Sequence, residues 1–124
     1  MRSLVPLLVL FMVGCQAAVP PAAHPVTHVV IMWLKSPNDA DAQRQLIETS
    51  KSFHTIPGVR SVAVGRMIPS ERPVVDSTYD VALVISFQDL ASLRAYETSA
   101  RHKAALANVL QPLVKKIVVY DFAE

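Results

Sequence analysis

His28-Val29-Val30-Ile31-Met32-Trp33-Leu34-Lys35 is the run on which the fold turns. It is rich in β-branched residues, it stops at Ser36-Pro37, and it reads as a strand. Strand side chains alternate between two faces, so Val30, Met32 and Leu34 point one way and Val29, Ile31 and Trp33 the other. Both sets are apolar, so both faces ask for cover. The run Lys115 to Phe122 repeats the pattern near the other end of the chain, with Ile117 and Val119 opposing Val118, Tyr120 and Phe122.

Between these two strands the chain alternates helical and extended signals. Asn38-Asp39 supply a cap, and Leu46, Ile47, Ser50, Phe53 and His54 recur at helical spacing until Ile56-Pro57-Gly58, which predicts a helix over about 40–54. Val59 to Ile68 and Tyr79 to Phe87 are β-rich segments joined by residues 69–78, a loop longer than a hairpin needs and of a length that often carries function. Asp89 caps a second helical region with apolar positions at Leu90, Leu93, Tyr96, Ala100, Ala104, Ala107 and Leu110, ended by Pro112. The order is β-α-β-β-α-β, an α+β class without internal repeats, in one domain over residues 28–124.

Two helices can cover only one face of a four-stranded antiparallel sheet. Strands about 4.8 Å apart and roughly 20 Å long leave a second face on the order of 400 Å². At about 25 cal/mol/Å², burying it contributes up to about 10 kcal/mol before association costs. A homodimer packed face to face is therefore expected.

The N-terminus carries a different signal. Arg2 precedes the short apolar run Leu4 to Val13, the layout of a secretory signal over residues 1–14. As a helix, about 10 residues cover roughly 15 Å, half of a bilayer core of about 30 Å, so the run is too short to span. Met12-Val13-Gly14-Cys15 resembles the lipobox of bacterial lipoproteins, which implies a diacylglyceryl group on the Cys15 thiol and cleavage before it. An ordinary signal peptide with an incidental cysteine is the other reading. Gln16 is not the Asp that in such lipoproteins signals inner-membrane retention, so the resemblance implies the cell envelope, at the periplasmic face of the outer membrane. Residues 15–27 read as the lipidated cysteine and an Ala/Pro-rich tether.

Composition excludes several functions. Cys15 is the only cysteine, so an intramolecular disulfide and cysteine metal centres are absent. Without Arg2, 11 basic residues stand against 10 acidic ones with alternating signs, which is no nucleic-acid footprint. His24 and His28 have helical metal-ligand spacing, but Pro25 breaks that geometry. No Gly-rich phosphate loop, paired-carboxylate motif or nucleophile elbow is visible, and neither a cofactor nor a metal is expected.

His28 to Lys35, Ile56-Pro57-Gly58-Val59, Gly65, Tyr79-Asp80, Phe87-Gln88-Asp89 and Tyr96 followed by His102 together resemble the stress-responsive A/B barrel (Dabb) domain. The similarity covers nearly all of residues 28–124. It implies a ferredoxin-like protomer that dimerises into an α+β barrel, in agreement with the face argument. A plant branch of that family cyclises polyketides with a Tyr and a His at the Tyr96 and His102 spacing, so the resemblance makes these two the candidate catalytic residues.

Such chemistry needs a base for an acidic proton beside a carbonyl and a donor for the substrate oxygen, roles that neutral His and Tyr suit. Six residues of continuous helix turn by about 600°, which leaves the two side chains about 120° apart, so they converge only if the helix breaks. Family members commonly have His-Pro at that point, where this chain has Ser99-Ala100. The structural alternatives are a core tyrosine at 96 and a solvated or core-edge histidine at 102. His28 and Trp33 are further candidates for a ligand pocket; Trp33 also suits an interface or core anchor, and His54 suits the carbonyls at a helix C-terminus. Two functions follow: a membrane-tethered dimer that binds a small apolar or aromatic ligand in a stress-associated role, or a cyclase- or lyase-like enzyme acting with His102 and Tyr96 on a carbonyl compound.

Overall fold

The computed structural model describes residues 23–124. Strands β1 (Val26–Leu34), β2 (Val59–Arg66), β3 (Val81–Phe87) and β4 (Val114–Ala123) form one antiparallel sheet in the spatial order β2-β3-β1-β4. Helix α1 (Ala40–Lys51) and a 3-10 turn (Ser52–Thr55) connect β1 to β2. The second connection holds α2 (Leu90–Thr98), α3 (Ala100–Ala105), a π-helical turn (Leu106–Leu110) and the short α4 (Gln111–Leu113). The architecture is the expected α+β, ferredoxin-like β-α-β-β-α-β protomer.

β1 sits between β3 and β4, and its alternation sets the layers. Val26, His28, Val30, Met32 and Leu34 are buried, while the intervening residues are half-buried on the other face. Opposite them on β3, Phe87, Ile85, Leu83 and Val81 are buried in register. Leu46, Ile47, Phe53, Leu93 and Tyr96 from the helices complete the core. Val29 pairs with Val84 and Tyr120, and Ile31 with Ala82 and Val118, so an apolar outer face remains with Val84, Tyr120 and Phe122 exposed.

The domain begins two residues before the boundary expected from sequence. Val26 and Thr27, assigned above to the tether, join β1, where Val26 is buried between Phe87 and Ala123. Their β-branched side chains suit a strand, and Pro25 is the last residue before it. The signal segment, Cys15 and the tether up to residue 22 lie outside the described residues.

Local capping explains where the helices start. The Asp39 carboxylate accepts the Asp41 and Ala42 N–H groups, each at 3.0 Å, and Asp89 accepts that of Ser92 at 2.8 Å. His54 Nδ1 lies 2.6 Å from the Lys51 carbonyl, the helix-end contact expected of it. At the other stop, Gly58 turns with φ +87° between the 3-10 turn and β2, and a Cβ there would lie 2.7 Å from Ser92 Cβ.

Gly58→Ala combines left-handed strain with a clash against α2, and about 1 to 3 kcal/mol of stability should be lost. Urea unfolding of both proteins measures it as a lower midpoint at unchanged slope. A midpoint equal to the parent's would show that neither the turn nor the α2 contact constrains this position.

Candidate functional site

The convergence of Tyr96 and His102 depends on Ser99. Its backbone is extended (φ −65°, ψ 147°), so α2 ends and α3 begins at a single residue. The Ser99 hydroxyl donates to the Tyr96 carbonyl at 2.8 Å and accepts the His102 N–H at 3.2 Å. One side chain thus caps both helix ends and performs the break without a proline. The Tyr96 and His102 rings come to 4.5 Å between centroids at a 44° tilt. A continuous helix would hold them apart on different faces.

Behind them the sheet supplies His28, whose ring meets Tyr96 edge-on at 5.8 Å. The three residues line a cleft of about 360 Å³ between the sheet and α2–α3, floored by Ile117 and Val119. The helices cover β3 and β1 more fully than β4, so Ile117 and Val119 stay partly open although they point to the helix side. That incomplete cover is what makes the cleft. At this volume it is at the small end of ligand pockets, and its walls are mainly apolar.

Both imidazoles are oriented by partners that accept. His28 Nδ1 lies 2.5 Å from Asp121 Oδ1, and His102 Nδ1 lies 3.0 Å from the Glu97 carbonyl. A carboxylate or carbonyl there requires the proton on Nδ1, which leaves Nε2 of each neutral ring as an acceptor. His28 is 6% exposed and Tyr96 1% exposed. Among the described residues no protein group hydrogen-bonds the Tyr96 hydroxyl, and no buried side-chain nitrogen or oxygen lacks a partner. The hydroxyl therefore opens to the cleft. Burial pushes the Tyr96 phenol well above its usual range, and the Glu97 carboxylate adds to the shift. Tyr96 is thus a hydrogen-bond donor in neutral solution rather than a phenolate base.

Trp33 does not join this group. It belongs to the other face of β1, where Nε1 donates to Thr78 Oγ1 at 3.0 Å, Lys116 lies 4.4 Å over the ring and Tyr79 packs edge-on. Strand alternation separates it from His28, since residues five apart point to opposite faces. The long loop does not line the cleft either. Asp121 and Glu97 were not singled out from the sequence. The available signal for Asp121 was one carboxylate, in phase with Ile117 and Val119, interrupting an apolar strand. Among the described residues no three His, Cys, Asp or Glu side chains are grouped as metal ligands.

The Tyr96 environment has a pH consequence. The fold favours the neutral phenol, so above about pH 10 the unfolded chain ionises first and stability falls as pH rises. Denaturation midpoints between neutral pH and the alkaline range should fall less steeply for Tyr96→Phe than for the parent, with the two nearly equal near neutrality. Parallel curves would show that the phenol is not desolvated.

Comparison with known proteins agrees with this fold. A 24% identical Dabb family protein with a ferredoxin-like fold from Mesorhizobium loti superposes with TM-score 0.67 over 82% of this chain and 97% of its own. A dimeric ferredoxin-like protein of unknown function from Thermobifida fusca gives 0.66 at 23% identity over 82% and 92%. Hydroxynitrile lyase from Passiflora edulis gives 0.65 at 21% identity over 84% and 95%. No curated protein sequence matches the chain. The model of the stress responsive A/B barrel domain matches residues 26–124, from the first residue of β1 to the end of the chain, and the chain belongs to this Dabb family.

Proposed function

We propose that the protein is a lipid-anchored homodimer whose cleft binds a small, largely apolar molecule bearing a carbonyl or phenolic oxygen. The observation that carries this reading is the Tyr96 hydroxyl, a donor with no protein partner among the described residues, opening into an apolar cleft beside two oriented imidazoles. The phenol would donate to the ligand oxygen while Ile117 and Val119 pack against its hydrocarbon part. The signal-like run ending at Gly14-Cys15 supports the anchor and the envelope location, and the family description supplies the stress association.

A second reading is favoured by the two imidazole acceptors. With Nδ1 committed to Glu97 or Asp121, Nε2 of His102 or His28 is free to take a proton from the carbon beside a bound carbonyl. The electron pair then moves onto the carbonyl oxygen, where the Tyr96 donor stabilises the enolate. One structural neighbour is a hydroxynitrile lyase, at 21% identity.

Acetophenone, an apolar aryl ketone, tests both. Tyr96→Phe should weaken its binding about fivefold, the worth of one hydrogen bond of about 1 kcal/mol, while leaving the melting temperature near neutral pH unchanged. If the acid–base reading holds, the protein also speeds deuterium exchange of the methyl protons in D₂O, and His102→Ala slows it by about 100-fold or more. Binding without exchange leaves the first reading alone. An unaltered affinity in Tyr96→Phe rejects the donor role.

The dimer rests on the outer sheet face, where Val29, Ile31, Val84, Val118 and Tyr120 adjoin one another. A solvated patch of this size is unusual on a monomer. The domain from residue 23 should sediment as a dimer at micromolar concentration, and Val84→Asp, which places a charge in the middle of the patch, should give folded or unfolded monomer. A parent that sediments as a folded monomer contradicts the assembly.

A further inference from the structure

The end of the domain from which the tether emerges carries a second apolar feature, unrelated to the cleft. Ala23, Val26, Leu90, Ala91 and Ala123 line a groove of about 560 Å³ together with His24 and Asp89. A smaller hollow of about 210 Å³ shares Val26, Leu90 and Ala123 with it and includes Asp121. Leu90 is 48% exposed in the first turn of α2, a position that the fold does not require to be apolar. At the opposite end of the sheet the hollow beside Arg66, Asn38 and Asp80 is polar and small.

We infer that this groove is the surface by which the domain seats on a phospholipid bilayer; the inference rests on the anchored reading of Cys15 given above. Ala23, which lines the groove, is eight residues from Cys15. Even fully extended, eight residues reach no more than about 29 Å, comparable to the width of a domain of this length. A lipid on Cys15 therefore keeps the groove-bearing end near the bilayer, while the polar hollow lies at the far end. No helix among the described residues is long and apolar enough to cross a membrane. With Asp89 and His24 among the lining residues and no lysine or arginine there, the recognised chemistry is the apolar boundary of the lipid layer and not anionic headgroups.

A single-thiol probe tests this on the full chain, because acylation consumes the native thiol. The lipidated Ala91→Cys protein, labelled with an environment-sensitive fluorophore and bound to phosphatidylcholine vesicles, should show a blue-shifted emission. Glu71→Cys, on the loop at the far end, should show none, and adding phosphatidylglycerol should change neither. Leu90→Asp puts an acid in a helix first turn, where it is tolerated, and should abolish the shift at position 91 while the protein still floats with the vesicles. Flotation without a shift at position 91, or with equal shifts at both positions, overturns the seating and leaves the anchor standing. Failure to float, with Cys15 itself taking the label, overturns the anchored reading and the seating together.

Discussion

Every layer of this domain follows from one constraint, that β1 is paired on both sides and must bury alternate side chains. With β3 on one flank and β4 on the other, its backbone groups are committed to the sheet, and only the two faces are left to specify structure. The inward set of Val26, His28, Val30, Met32 and Leu34 draws the helices onto one face. The outward set of Val29, Ile31 and Trp33 remains for something else to cover. One strand thus sets both the core and the apolar face left outside it.

The cleft arises where that covering is incomplete. In the second helical connection α2 packs on β1, β2 and β3, while Ile117 and Val119 of β4 border open space instead of core. Placing a polar His28 on the inward face costs little because Asp121, directly opposite on β4, accepts a hydrogen bond from its Nδ1–H. Tyr96 is different. Its ring is packed against Phe53, Phe87 and His28, which provides apolar burial, while its hydroxyl is left without a protein partner. That hydroxyl borders the cleft, and among the described residues no buried side-chain polar atom is left unpaired.

Ser99 shows how a small change of side chain can replace a structural device. A proline would end α2 by removing an N–H and forcing the chain out of helical geometry. Here one hydroxyl donates to the Tyr96 carbonyl of α2 and accepts the His102 N–H of α3, and the chain bends at the same place. The π-helical turn that follows, at Leu106–Leu110, brings Leu106 to the cleft wall, a second irregularity in the same connection.

The elements themselves were legible in the sequence because their causes are local. Alternation in His28 to Lys35, caps at Asp39 and Asp89, and the stop at Ile56-Pro57-Gly58 act over a few residues. The Tyr96 and His102 pair was legible as residue types, and so was the condition that a helix break must unite them. Whether Ser99 meets that condition depends on where its hydroxyl finds partners, which the folded chain alone decides. The His28–Asp121 contact joins residues 93 apart through the β1–β4 register, and register is set by packing across the whole sheet. Trp33 suits a pocket as well as an interface or core anchor from its aromatic character, and only its phase relative to His28 in the assembled sheet puts it on the outer face. Local chemistry determined what could form here, and the long-range packing of one sheet against α1 and the broken second helix decided which side chains meet.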